Sequence, residues 1–339
     1  MTIMRTPRTM DLSITNKCNL RCKYCAHFTS AADVDSELSI EEWLRFFGEL
    51  KECNILNVNL TGGEPFVRKD LKKIIDGIVR NRMRYSITSN GTEITDKMAE
   101  FIASTKRCDG VQISLDGSTA EVHDSCRGQG NFKKTIEGIS KLQRNSISVN
   151  IRATIQKYNV NDIERMAAIV LDDLNVSLFI LSNVKPLGLY RRNPDELQLT
   201  TNQLSDAITT VMRLEEKYGS RISGSMSSKI WVQMVENLRK NKQNFSDAGK
   251  MTACGGVISK LSVRADGVIV PCLMLSHIEF GRVNKDKLKD VWLNHKGLHN
   301  YRNMRNISLE KFEYCDGCKY IAYCNGGCPA IAYTMLGEV

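Results

Sequence analysis

Cys18-Asn-Leu-Arg-Cys22-Lys-Tyr-Cys25 brings three thiols into one short stretch. Thiolates this close in sequence can face one metal centre. A structural zinc site wants four closed ligands, and His27 could complete such a knuckle. A [4Fe–4S] cluster has four irons, normally held by four cysteines, so three cysteines leave one iron open to a small molecule. Six more cysteines stand near the other end: Cys254, Cys272, and the run Cys315-x2-Cys318-x5-Cys324-x3-Cys328. That run by itself could also be a zinc ribbon. With twelve cysteines in a chain of 339 residues, a disulfide framework is not expected in a cytosolic protein, nor is it needed at this size. Clustered cysteines in that setting read as metal ligands. Cys53, Cys108 and Cys126 stand apart and read as small buried apolar residues.

A second group of residues could bind a small polar ligand. In Thr61-Gly62-Gly63-Glu64-Pro65 the glycines allow close backbone approach, and the Glu64 carboxylate can accept from an ammonium group. Taken alone, Gly62-Gly63-Glu64-Pro65 would read as a turn. Ser89-Asn90-Gly91 and Ser114-Leu115-Asp116-Gly117, with His123-Asp124 and Arg127 beyond, follow later apolar runs.

The elements that must position these residues alternate. Strands are expected at Met10–Thr15, Asn54–Leu60, Tyr85–Thr88, Gly110–Leu115, Ser148–Thr154 and Val176–Leu181. Between them helices are expected at Ser39–Cys53, Asp70–Asn81, Thr95–Ser104, Asn131–Gln143 and Asp162–Leu174, with Ser39 and Glu42 forming a capping box. Regular β-α alternation predicts a parallel sheet with helical crossovers. Six units fall short of a closed eight-stranded barrel, so the fold class is α/β, a partial (β/α)6 barrel. Its chemistry would sit at the C-terminal ends of the strands. The first cysteine group and the Gly-Gly-Glu-Pro turn both fall there. Residues 186–250 are more polar and read as a bridge with helices at Thr201–Tyr218 and Ser227–Lys240. Residues 251–339 form a second region with too little apolar periodicity for a large core, to be organised by metal.

The remaining composition is ordinary for a globular enzyme, with 42% hydrophobic and 25% charged residues. No apolar run is long enough to span a membrane, and the beginning Met1-Thr2-Ile3-Met4-Arg5 lacks a secretory h-region, so the expected location is the cytoplasm. The net charge of +9 suits an acidic partner. Its Lys and Arg are spread along the chain rather than blocked, so a solvated basic surface is expected and nucleic-acid binding is not.

Cys18/Cys22/Cys25 after the first strand and Gly62-Gly63-Glu64-Pro65 after the second resemble the signature of the radical S-adenosylmethionine (SAM) superfamily. The likeness covers about residues 10–181 and implies a TIM-type partial barrel. It further implies a [4Fe–4S] cluster on Cys18, Cys22 and Cys25, with SAM chelating the open iron through its amino and carboxylate groups. An electron from the cluster then breaks a sulfonium C–S bond and yields a 5′-deoxyadenosyl radical. By the same resemblance Gly62, Gly63, Glu64 and Pro65 bind the SAM amino group and Ser114 the ribose. Ser89 and Asn90, and Asp116 beyond Ser114, belong to the same SAM site. Tyr24 packs beside the adenine, and Arg127 meets the SAM carboxylate or the substrate. Asn150, Arg152 and the Leu181 region lie where relatives contact SAM.

The later cysteines resemble the SPASM domain, a small C-terminal iron–sulfur extension that carries up to two auxiliary [4Fe–4S] clusters on seven cysteines. The resemblance assigns Cys254, Cys272 and Cys328 to the first auxiliary cluster and Cys315, Cys318 and Cys324 to the second. The seventh cysteine would lie just beyond Gly337, but the sequence stops at Val339. Either the sequence is truncated or the second cluster has a non-cysteine ligand. The implied domains are the radical SAM barrel (1–185), the helical bridge (186–250) and the SPASM domain (251–339).

The function implied is modification of a ribosomally made peptide or protein by a crosslink, thioether or epimerisation, with a flavodoxin- or ferredoxin-type electron donor. A leader-binding domain is not expected ahead of Cys18, so leader recognition would fall to a separate protein or another surface. Alternatives are a sulfatase maturase, disfavoured because Leu273 follows Cys272 where such relatives carry Asp, and a quinone-cofactor or haem-pathway enzyme. From another class, the chain could be a non-catalytic iron–sulfur carrier or zinc scaffold.

Overall fold

The computed structural model describes residues 4–27, 36–224, 249–251, 254, 256–318, 321 and 324–336. The six expected strands are present as β1 (Thr9–Ser13), β2 (Asn57–Thr61), β3 (Arg84–Ser89), β4 (Cys108–Ser114), β5 (Val149–Ile155) and β6 (Leu178–Asn183). They pair in sequence order and in parallel. Helices α1 (Ile40–Glu52), α2 (Leu71–Arg80), α3 (Asp96–Thr105), α5 (Asn131–Arg144) and α6 (Ile163–Ala168) cross between them. The expected capping box is formed: the Glu42 backbone N–H donates to Ser39 Oγ, and the Ser39 N–H donates to Glu42 Oε2.

An additional helix, α4 (Ala120–Arg127), precedes α5. It carries no apolar stripe, because its buried face is His123, Asp124, Cys126 and Arg127. Periodicity therefore cannot reveal it. Its N-cap can: the Thr119 side chain accepts from the Val122 N–H.

Residues 186–224 are not a bridge. After a short helix, α7 (Pro194–Leu197), α8 (Thr201–Tyr218) buries Ala207, Ile208, Val211 and Leu214 against the barrel core. It leads into β7 (Ile222–Gly224), which pairs in parallel with β6. The helix expected at 227–240 lies outside the described residues.

The C-terminal region also joins the barrel. Strand β8 (Lys260–Val263) pairs in parallel with β1, and β9 (Val268–Val270) and β10 (Gly281–Arg282) continue the sheet antiparallel. The sheet has ten strands in the order β10-β9-β8-β1-β2-β3-β4-β5-β6-β7. Val257, Leu261, Phe280, Trp292 and Leu298 belong to the same apolar cluster as Met10 and Trp43. The expected metal-organised region thus shares the apolar core of the barrel up to about residue 303. Its elements are only two to eight residues long, too short for a period to show in the sequence.

Along β1 to β6 apolar residues alternate with polar ones. Leu12, Leu60, Ile87, Ile113, Ile151 and Phe179 lie in the core under the helices. The alternate residues Asp11, Asn59, Ser86, Gln112, Asn150 and Arg152 fall on the opposite, concave face. No helix among the described residues is long and apolar enough to cross a membrane.

Candidate functional site

The first cysteine loop leaves β1 and is held by two neighbours. Glu37 Oε1 accepts from Thr15 Oγ1 at 2.8 Å and from the Asn16 N–H at 2.9 Å. On the other side the Gly63 and Glu64 N–H groups donate to the carbonyls of Thr15 and Lys17, each at 2.8 Å. A Cβ at Gly62 would stand 2.3 Å from the Thr15 carbonyl oxygen, and one at Gly63 would stand 2.2 Å from that of Lys17. The expected reason for these glycines was approach to a ligand. The structure supplies a nearer one: side chains here would push the cysteine loop off the sheet.

The three thiols are partly buried and within electrostatic reach of one another. Burial pushes the Cys22 thiol up to about 11, against the lowering influence of the Arg127 guanidinium. Cys18 Sγ accepts from the Leu20 N–H at 3.4 Å and faces Asn90 Nδ2 at 4.0 Å, while Arg127 Nη1 points to Cys22 Sγ at 3.8 Å. Among the described residues no three Cys, His, Asp or Glu side chains converge on a point that would hold a single ion. Three thiols on one loop are the donor set that leaves one iron of a [4Fe–4S] cluster open, whereas a structural zinc site wants a fourth closed ligand.

Glu64 is fully buried beside this loop. Its carboxylate accepts from Ser89 Oγ at 2.8 Å and from the backbone N–H groups of Asn90 and Phe66 at 2.7 and 3.1 Å. Burial raises it to about 7 despite these hydrogen bonds. Pro65 opens the 3-10 turn Pro65–Val67 and is itself buried. Ser89 therefore acts through Glu64. Asn90 is tied to the cysteine loop by donating from Nδ2 to Asn19 Oδ1 at 3.0 Å.

Tyr24, Asp116 and Arg127 form a buried knot. Asp116 Oδ2 accepts from Arg127 Nε and from the Tyr24 hydroxyl, both at 2.5 Å, and Oδ1 accepts from the Thr154 N–H at 2.8 Å. Arg127 Nη2 also donates to the Tyr24 oxygen, and the guanidinium lies over the Tyr24 ring at 5.5 Å from its centroid. The Arg127 guanidinium is thus paired with Asp116, while Nη1 faces Cys22 Sγ at the cluster loop. Tyr24 likewise uses its hydroxyl inside the knot. His123 is buried behind it, accepting at Nδ1 from the Asp116 N–H at 3.2 Å. Burial, then the Arg127 charge, depress it to about 4.

Ser114 and Arg152 are register neighbours on the concave face, as are Gln112 and Asn150. Arg152 Nη2 donates to Ser182 Oγ at 3.1 Å. Leu181 lies at the end of β6, with its side chain fully buried in the helix-facing core with Phe179 and Ile151. The one-residue parity of a strand leaves Ile180 and Ser182 on the reacting face instead. Sequence reading also missed the roles of Asn19, Glu37 and Asn159, whose Nδ2 donates to the Asp116 carbonyl at 2.9 Å. Glu37 and Asn159 stand in no motif, and Asn19 is a spacer position inside the first cysteine group.

The later cysteines lie in two groups. Burial raises the Cys272 thiol against the lowering hydrogen bonds from the Met274 and Leu275 N–H groups, and nearby Cys328 and Cys254 raise it further. Cys254 and Cys272 line a small cavity with Tyr301 and Pro329. Cys324 lies with Cys315 and Cys318, and its thiol too is raised, first by burial. Short turns hold this second group: the N–H groups of Cys318, Ile321 and Cys324 donate to the carbonyls of Cys315, Cys318 and Ile321. The position expected for a seventh ligand lies outside the described residues. Cys53 and Cys126 are buried and Cys108 is partly buried.

Comparison with known proteins agrees with this layout. The family model of the radical SAM superfamily matches residues 12–170, and that of an iron–sulfur cluster-binding domain, SPASM, matches residues 254–319. The chain is 23% identical over 336 residues to a PqqA peptide cyclase of Ruegeria pomeroyi, covering 98% of this chain and 85% of the relative. It is 26% identical over 358 residues to an AdoMet-dependent heme synthase of Oleidesulfovibrio alaskensis, covering 99% and 88%. Among solved structures it shares its fold with Streptococcus suis SuiB bound to the precursor peptide SuiA. There the TM-score is 0.75 at 18% identity, over 97% of this chain and 73% of that one.

Proposed function

We propose that this chain, an enzyme that belongs to the radical SAM superfamily and carries a SPASM domain, removes hydrogen from a carbon of a ribosomally made peptide or protein. The outcome would be a crosslink, a thioether or an epimerised residue. The observation that carries this reading is the presence of three thiol groups in one chain whose barrel and C-terminal extension share a continuous sheet. One lies at the mouth of the barrel beside Glu64, and two lie in the extension that β8 joins to β1. Relatives named for action on a peptide share this two-part layout over nearly the whole chain.

Cys18, Cys22 and Cys25 would hold the [4Fe–4S] cluster, and Cys254, Cys272, Cys328 with Cys315, Cys318, Cys324 the auxiliary clusters. When bound, cluster and SAM supply a one-electron cleavage of the sulfonium bond to a 5′-deoxyadenosyl radical. This chain's own residues prepare the site for it. Ionised Glu64, aimed by Ser89 and the Asn90 N–H, accepts from the SAM ammonium. Arg127 donates toward the Cys22 sulfur, which favours the more negative cluster state. The Tyr24–Asp116–Arg127 knot keeps the loop from shifting as ligands enter. Ser114, Asn150 and Arg152 offer polar contacts along the concave face for the rest of SAM. A cavity of about 440 Å³ beside the end of β6, lined by Asn183, Val184, Pro186 and Tyr190, is roomy enough for a substrate side chain. The electron donor would be of the flavodoxin or ferredoxin type, leader recognition would fall to a separate protein or to another surface of this chain, and the location would be the cytoplasm.

The test is direct. Anaerobically reconstituted protein with dithionite and SAM should release 5′-deoxyadenosine, and alanine at Cys18, Cys22 or Cys25 should abolish it. Short peptides encoded beside the gene should then lose two hydrogens if a crosslink or thioether forms, or keep their mass and take up solvent deuterium if a residue is epimerised. A second reading, a haem-pathway enzyme, is supported by the heme synthase relative. It predicts the same SAM cleavage, with a porphyrin rather than any peptide altered.

A further inference from the structure

The connector that follows β6 touches both halves of the site. The Leu189 N–H donates to the Cys25 carbonyl at 2.8 Å. Gly188, at φ +58°, packs so tightly that a Cβ there would meet the Cys25 carbonyl oxygen at 2.3 Å and Ala26 Cα at 2.4 Å. One residue earlier, Leu187 sits in a separate apolar cluster with Leu275 and Ala330, against Ala26 and Cys272. Residues 187–189 are therefore wedged between the loop of the first cysteine group and the seat of Cys272 and Cys328.

Lys185 projects from the start of this wedge and is half-buried. Its Nζ donates to Asn183 Oδ1 at 2.9 Å, which fixes the ammonium near the end of β6. Its charged neighbours are Arg152 on the concave face and the Cys328 thiol. No carboxylate pairs with it among the described residues. Burying an ammonium without a counter-charge is costly, and burial does lower its proton affinity. Such a cation is retained at low cost where a bound group brings negative charge.

We propose that Lys185 is a positioning residue for charge at the first auxiliary site: its ammonium stabilises the reduced form of the iron–sulfur cluster on Cys254, Cys272 and Cys328 and so raises that cluster's reduction potential. Reduction adds one electron and one negative charge to the cluster, and a fixed cation close to a ligand sulfur favours the product of that step. The inference rests on the reading that these three cysteines hold a cluster.

The test is a redox titration with dithionite followed by electron paramagnetic resonance, on protein whose SAM-site cluster has been removed by alanine at Cys18, Cys22 and Cys25. The signal lost in a further Cys272→Ala variant identifies the first auxiliary cluster. At the potential that half-reduces it, Lys185→Met is expected to lower the reduced-to-oxidised ratio about tenfold, equivalent to about 59 mV for one electron. Lys185→Arg is expected to keep the ratio, as is Lys97→Met on the exposed face of α3. An unchanged ratio in Lys185→Met with iron retained, or an equal fall in Lys185→Arg, overturns the role of Lys185 alone. Should Lys185→Met lose its iron, Asn183→Ala, which releases the ammonium, carries the test: a fall in the ratio supports the role and an unchanged ratio overturns it. A Cys272→Ala protein that keeps all its iron instead overturns the cluster reading itself.

Discussion

The two ends of this enzyme hold their thiols by opposite means. Cys18, Cys22 and Cys25 ride on a loop pinned from far along the chain. Glu37 grips its start, Gly62–Glu64 hydrogen-bonds its backbone, and the Asp116–Arg127–Tyr24 knot closes its end. Cys315, Cys318 and Cys324 sit in turns that bond mostly a few residues back, with one longer tie from the Gly249 N–H to the Cys324 carbonyl at 2.6 Å, near exposed Phe312 and Tyr314. The first arrangement is set by tertiary structure before any metal binds. The second has fewer such long-range ties among the described residues. Preorganisation suits the end where a radical must form in one geometry, and metal-dependent ordering suffices where a cluster only exchanges electrons.

The strongest way to break this comparison is to strip the knot. Asp116→Ala leaves the Arg127 guanidinium buried and unpaired, and should lower stability by about 3–5 kcal/mol, read as a large fall in the thermal midpoint. A change below 1 kcal/mol would show that the loop is not pinned as described. Gly63→Ala comes next. Its methyl would displace the Lys17 carbonyl, and a loop shift of about 1 Å should slow SAM cleavage about 100-fold while leaving the auxiliary iron content intact. Iron removal by a chelator should expose residues 304–336 to proteolysis and spare 9–224, which mass spectrometry of the fragments would show. Equal protection of both would erase the contrast.

Smaller effects concern pH. Glu64, raised to about 7 by burial, binds an ammonium only when ionised, so SAM affinity should fall about fivefold between pH 7 and pH 6, with Glu64→Gln weak and flat. Stability of the unliganded protein has the opposite sense. A carboxyl whose folded value is raised loses stability as pH climbs from about 4.5 to about 7. His123, depressed to about 4, contributes stability at neutral pH that is lost as pH falls from about 6.5 towards 4. His123→Gln should flatten that limb of the stability curve. The smallest expected change is Cys108→Ser, which should leave iron content and SAM cleavage as they are.

The amino-acid sequence alone determined the β-α alternation and the placing of Cys18–Cys25 and Gly62–Pro65 at strand ends, while the division of the later cysteines is what the family resemblance implies. The first two follow from local spacing and periodicity, which a linear chain displays directly. It did not show that Arg127 is spent on Asp116, because that pairing depends on α4, a helix with a polar buried face. Nor did it show that Leu181 points away from the site, since a single residue of parity along β6 decides between core and cavity. That the C-terminal strands extend the barrel, and that Lys185 lies between Arg152 and Cys328, were decided only by folding. Contacts between residues far apart in the chain carry no local pattern, and their energies arise only once the sheet has brought them together.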